Sequence, residues 1–278
     1  VYSKDVKRCF ALLIKIKQLF EIERGRTILL KLKNISKQFA GKVILDEINV
    51  EIENGEIVSM LGPSGSGKTT LLNIILGLTP MDSGTIIFND KDISQTSMKE
   101  RGFNIVFQDY ALFPNLNAYK NIIYGLQNKP KLISSDELDS LIEFLELKPH
   151  LLKGIDQLSG GQKQRVALAR TLAVKPKILL LDEPLSALDG VIKETIKERI
   201  KAITKEYKLT TIIVTHDPEE ALTMSDKVLI LEQGKVSQFG TPKQIIHQPN
   251  NNFVEEFILR QLKIKRDNIY DLFEGCHA

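Results

Sequence analysis

Short apolar runs recur along the chain and separate into two kinds of element. Val43–Ile52, Glu56–Leu61, Thr85–Asn89, Asn104–Phe107, Ile178–Asp182, Thr211–Thr215 and Val228–Leu231 are short and rich in β-branched residues, and they read as strands. Helical patterns such as Leu71–Leu78 alternate with them, and such alternation predicts an α/β core. Between about Asp109 and Lys175 the strand pattern stops, and the amphipathic stretches Ser135–Leu147 and Gln162–Val174 take its place. A helical subdomain inserted into the sheet-bearing core is expected there. Its best-marked helix start is Ser134 and Ser135, followed by Asp136 and Glu137 and by an inward face of Leu138, Leu141, Ile142 and Leu145.

A chain of 278 residues, 42% hydrophobic and 26% charged, can bury a sizeable core, which excludes disordered, collagen-like and small disulfide-built proteins. The net charge of +3 is too small to point to a polyanion, so no nucleic-acid partner is expected. It is also unevenly spread. Residues 1–38 hold ten Lys/Arg against three Asp/Glu, a net +7, so the remaining 240 residues carry −4. Residues 1–27 read as a basic arm set apart from the fold; their apolar run Phe10–Ile14 ends at Lys15 and Lys17, too short to span a bilayer. Cys9 and Cys276 show no metal-ligand spacing and fit a reducing compartment, so a cytosolic location is expected.

The most specific local pattern is Gly62-Pro63-Ser64-Gly65-Ser66-Gly67-Lys68-Thr69-Thr70, which comes after one expected strand and opens a helix. Triphosphate oxygens need several N–H donors converging at close range. Glycines let the backbone turn and approach, and the helix behind them offers free N–H groups and the positive end of its dipole. Lys68 supplies a charge for the β- and γ-phosphates, and the Thr69 hydroxyl is placed to ligate Mg²⁺. Further on, Ile178-Leu179-Leu180-Leu181-Asp182-Glu183 is an apolar strand ending in two carboxylates. A buried parallel strand delivers its C-terminal end to a ligand crevice, where Asp182 can hold Mg²⁺ and Glu183 can polarise an attacking water.

Leu158-Ser159-Gly160-Gly161-Gln162 opens a basic amphipathic helix between these two motifs. With it, residues from about Leu32 to Ile258 resemble the ATP-binding cassette (ABC) ATPases, whose signature is Leu-Ser-Gly-Gly-Gln. The resemblance implies a P-loop core of ABC type, with a parallel sheet, an antiparallel β subdomain and the inserted helical subdomain, spanning residues 28–260. It implies ATP and Mg²⁺ as ligands and further roles by position. Phe39 resembles the aromatic that stacks on adenine, and Gln108 the hinge glutamine that contacts Mg²⁺ and the attacking water. Ser159, Gly160, Gly161 and Gln162 resemble the signature that binds the γ-phosphate held by the opposite subunit. Ser186-Ala187-Leu188-Asp189 matches the loop lining the dimer seam, and His216 the histidine that contacts the γ-phosphate.

The segment beyond the hinge glutamine bears on the subtype. Only 51 positions separate Gln108 from Ser159, which leaves no room for a long coiled coil. Asp109-Tyr110-Ala111-Leu112-Phe113-Pro114 is similar to the segment that docks on the membrane subunit in importer ATPases of the polyamine, sugar, ferric-ion and sulfate type. Gly240-Thr241-Pro242 and Phe253–Ile258 resemble that group's closing pattern. The resemblance therefore implies an importer motor at the cytoplasmic face of the membrane, partnered by a second ATPase subunit, two permease subunits and an extracytoplasmic solute-binding protein. The alternative is a soluble cassette that clamps a cytosolic macromolecule. Lys120 stands where the importer group usually has an acidic residue, and residues 261–278 are expected to form a short tail rather than a regulatory domain.

Overall fold

The computed structural model describes residues 30–127, 131–186, 188 and 190–274. The basic arm over residues 1–27, Cys9, Cys276, Ala187 and Asp189 lie outside the described residues. In chain order the elements are β1 (Leu30–Phe39), β2 (Lys42–Ile52), β3 (Ile57–Leu61), α1 (Lys68–Leu76), β4 (Ser83–Phe88), β5 (Lys91–Asp92), α2 (Met98–Arg101), β6 (Phe103–Val106), α3 (Ala118–Ile123) and α4 (Ser135–Phe144). They continue with α5 (Gly160–Ala173), β7 (Ile178–Asp182), α6 (Gly190–Glu206), β8 (Thr210–Val214), α7 (Pro218–Met224), β9 (Lys227–Glu232), β10 (Lys235–Gly240) and α8 (Pro242–His247). The last helical stretch starts as α9 (Asn252–Val254), passes through a π-helix at Glu255–Arg260 and ends as α10 (Gln261–Glu274).

The chain forms two compact units. One holds Glu53–Gly55 and Thr96–Thr211; the other holds Leu30–Ile52, Glu56–Gln95 and the chain from Ile212 onward. The division falls inside β8.

The second unit carries an antiparallel sheet of order β2-β1-β4-β5 and the strand order β10-β9-β3-β8. β3 pairs in parallel with β9 from Val58↔Lys227 to Leu61↔Ile230, and β9 turns back antiparallel into β10. All five residues of β3 are buried, as a strand covered on both faces requires, which explains its uninterrupted apolar run. β1 and β10 escape an alternation test for a visible reason. Register shifts at Leu32/Ile35, Ile35/Lys37 and Lys37/Gln38 in β1, and at Val236/Gln238 in β10, break the two-residue period. β1 and β2 are joined through Ala40 and Gly41, both at positive φ, the conformation of a tight hairpin turn.

The first unit carries the order β8-β7-β6, with β6 and β7 parallel from Phe103↔Ile178 to Val106↔Leu181. Helices α3, α4 and α5 belong to it. Ser134 caps α4 through a reciprocal box: its Oγ accepts from Glu137 N at 3.2 Å, and Glu137 Oε2 accepts from Ser134 N at 2.7 Å. At the other end Glu146 receives Arg165 at 3.1 Å and Arg199 at 2.5 Å, tying the loop after α4 to α5 and α6. No helix among the described residues is long and apolar enough to cross a membrane.

Candidate functional site

In the second unit, β3 runs directly into the glycine-rich loop and the loop into α1. Two of its glycines admit no other residue. A Cβ at Gly62 would stand 2.2 Å from the Leu231 carbonyl oxygen, and one at Gly67, whose φ is +100°, would stand 2.7 Å from Leu45 Cδ2 and 2.8 Å from the Ile44 oxygen. The loop is thus pressed against β2 and β9 on one side, while the space beside Gly65 is open. Ser66 N donates to the Pro63 oxygen at 3.2 Å, and Leu71 N to the Gly67 oxygen at 2.9 Å, closing the loop onto the first helical turn.

The chemistry of this loop is that of an anion receptor. The first turn of α1 carries no acidic residue and no side-chain cap, so its N–H groups and dipole end are unopposed. Lys68 Nζ folds back onto the carbonyls of Gly62 at 2.6 Å and Pro63 at 2.9 Å. Ser66 Oγ is buried and has no hydrogen-bond partner among the described residues, an expense that a bound oxyanion would relieve. Pro63, Ser64, Gly65 and Thr69 are exposed and Thr70 is half-buried, so the open side of the loop faces outward.

Phe39 lies in the same unit at the end of the β1–β2 hairpin, half exposed, with Lys37 Nζ 5.2 Å from its ring centroid. His216, exposed, comes just after β8, and Thr215 N donates to the Met60 oxygen of β3 at 3.1 Å. A relay of hydrogen bonds joins the residues on either side of His216. Asp217 N donates to Thr215 Oγ1 at 3.1 Å, and that hydroxyl donates to the buried Glu220 Oε2 at 2.6 Å.

The first unit holds the remaining residues. Gln108 is exposed just after β6. Asp182 ends β7 half-buried, and Glu183 is next at φ +46°, a left-handed conformation unusual for a side chain without the freedom of glycine. Ser186 stabilises that turn, donating to the Glu183 oxygen from Oγ at 2.9 Å and from N at 3.3 Å. Ser159 caps α5: Ser159 Oγ accepts from Gln162 N at 3.4 Å, and Gln162 Oε1 accepts from Ser159 N at 3.0 Å. Gly160 is exposed and Gly161 buried. The Gln162 amide also lies 3.3 Å from His150 Nε2, whose ring is held below the usual histidine range by burial and by the charges of Lys153 and Arg165.

Pattern reading passed over other residues that organise the site. Gln164, wholly buried on α5, donates from Nε2 to the Pro184 oxygen. Arg170 donates to the Ala111 oxygen at 2.6 Å and the Tyr110 oxygen at 2.8 Å, holding the segment after Gln108. Asn121, fully buried, grips Phe113, Leu116 and Asn117. The signal that could have found Gln164 is a polar residue on the apolar stripe of a helix.

A family model described as "ABC transporter" matches residues 45–186. Among curated proteins, a spermidine/putrescine import ATP-binding protein, PotA, of Mycoplasma capricolum is 45% identical over 232 residues, covering 83% of this chain and 66% of its own length. The PotA protein of Spiroplasma citri is 47% identical over 235 residues, covering 84% and 67%. The chain thus spans about two thirds of the length of these relatives. A solved dimeric structure of the ATP-binding cassette MJ0796 in a post-hydrolysis state, bound to ADP and Pi, superposes with a TM-score of 0.67 at 34% identity, covering 77% of this chain and 98% of that one.

Proposed function

Because the chain belongs to the ABC transporter family, we propose that it is the ATP-hydrolysing subunit of an importer, working as a head-to-tail pair at the cytoplasmic face of a membrane. The observation that carries this reading is the loop from Gly62 to Thr70. It is a receptor for phosphate built from backbone N–H groups, one lysine and a buried unpaired hydroxyl, with no carboxylate in the first turn behind it.

In this reading ATP lies with its adenine on Phe39 and its phosphates over the loop, with Lys68 swinging from its carbonyl partners onto the β- and γ-oxygens. Ser159, Gly160, Gly161 and Gln162 of the other copy cap the γ-phosphate, and Asp189 lines the seam. Glu183 accepts the proton of the attacking water, while His216 and Gln108 orient that water and the γ-phosphate. The Thr69 hydroxyl, the Asp182 carboxylate and the Gln108 amide are hard oxygen donors that would hold Mg²⁺, which would supply positive charge against the phosphates. Hydrolysis removes the charge that bridges the two copies and weakens the seam.

The membrane partners are proposed on different ground. In the first unit a cavity of about 820 Å³ is lined by Phe113 and Tyr124, whose ring centroids are 4.2 Å apart, and by Arg170, Val174 and Lys175. It adjoins the segment Asp109–Pro114, which supports docking of a permease segment there. Two permease subunits and an external solute-binding protein complete the assembly and choose the solute.

The test is Glu183→Gln. It should bind ATP normally, lose at least about a hundredfold in turnover, and accumulate as an ATP-bound dimer by light scattering. Ordinary ATPase rates in that variant refute the assigned base.

A further inference from the structure

Glu183 sits in a left-handed backbone conformation that persists only where its surroundings enforce it. Two contacts do so. Ser186 holds the Glu183 carbonyl from within the turn. The other comes from outside it: Gln164 Nε2, reaching from α5, donates to the carbonyl of Pro184, the residue next to Glu183.

The Gln164 side chain is fully buried, and its Oε1 finds no donor among the described residues. Burying a primary amide for a single hydrogen bond is a poor source of stability, since desolvation of the unpaired oxygen offsets the bond. What the contact does supply is registry. α5 is capped by Ser159, five residues before Gln164, and carries Arg170, which holds Tyr110 and Ala111. One rigid helix therefore touches the signature, the turn that carries Glu183 and the segment after Gln108.

We propose that Gln164 is a positioning residue for Glu183, fixing the catalytic turn to the signature helix so that the two ends of the chemistry move together. This rests on the proposed role of Glu183 as the base. In a head-to-tail pair the signature serves the partner's nucleotide and Glu183 its own, so the contact links the two composite sites through a single side chain.

The test uses Gln164→Met, which keeps the volume and removes the donor. Expected are a kcat lowered about tenfold to a hundredfold, nucleotide affinity within twofold of wild type, and ATP-driven dimerisation retained. A second arm measures residual single-turnover hydrolysis in Glu183→Gln, where adding Gln164→Met should cause no further loss. An unchanged kcat, additive losses in the double variant, or a Gln164→Met chain that loses its fold or its nucleotide affinity makes the contact structural and overturns the proposal. A wild-type chain with no ATPase activity, or a Glu183→Gln variant as active as wild type, refutes instead the reading of the site on which it rests.

Discussion

Asn121 offers a test of how the segment after Gln108 keeps its shape. Its side chain is completely buried on α3. Oδ1 accepts from Phe113 N at 2.8 Å, and Nδ2 lies within reach of the carbonyls of Phe113 at 3.1 Å, Asn117 at 3.1 Å and Leu116 at 3.2 Å. Asn121→Leu keeps the branching and the number of side-chain heavy atoms and removes every one of these bonds. Phe113 O and Asn117 O keep other donors, Leu116 N at 3.2 Å and Asn121 N at 3.0 Å, so their loss is small. Phe113 N is left without its acceptor, at about 1–3 kcal/mol, and Leu116 O loses its side-chain donor at about 1 kcal/mol. The sum is about 2–4 kcal/mol, which in a domain of this size lowers the melting temperature by about 4–16 °C. Differential scanning calorimetry checks it, with fluorescent nucleotide titration as control, since the cradle lies in the other unit and should keep its affinity within about twofold. A melting temperature within 1 °C of wild type would refute the argument that these bonds hold the segment.

Gly67→Ala places a methyl against Leu45 and the Ile44 carbonyl at a φ of +100°, so the loop must shift and nucleotide affinity should fall more than tenfold by titration; unchanged affinity would show that the loop does not need this contact. Arg199, above all, and Arg165 hold the Glu146 carboxyl below the usual carboxylate range. A carboxylate with a lowered folded-state pKa stabilises the fold above its unfolded pKa and ceases to as pH falls through the folded one. The melting-temperature gap between wild type and Glu146→Gln should therefore be open near neutral pH and close as the pH falls through the lowered folded-state pKa; a gap independent of pH would contradict this.

Much of the cradle is legible in the sequence, because its chemistry depends on residues close together in the chain. Gly62 to Thr70, the strand before them and the helix after them form one local unit, and local steric and capping rules act over a few residues. The same holds for β7, whose run Ile178–Asp182 ends where the pattern places it, and for the Ser134 and Ser159 caps, which link residues three apart. β1 and β10 were hidden because bulges shift the alternation that marks a strand.

What the amino-acid order alone determined, then, is the identity of the chemical groups and their local setting: a phosphate loop, an acidic strand end, a capped signature helix. The tertiary structure decided which distant groups support them. Gln164 against Pro184, Arg170 against Tyr110 and Ala111, and Glu146 between Arg165 and Arg199 join positions 19 to 60 residues apart. Such partners leave no periodic trace, because a side chain satisfied by a remote carbonyl or charge acquires its meaning only when packing brings that group within hydrogen-bond reach.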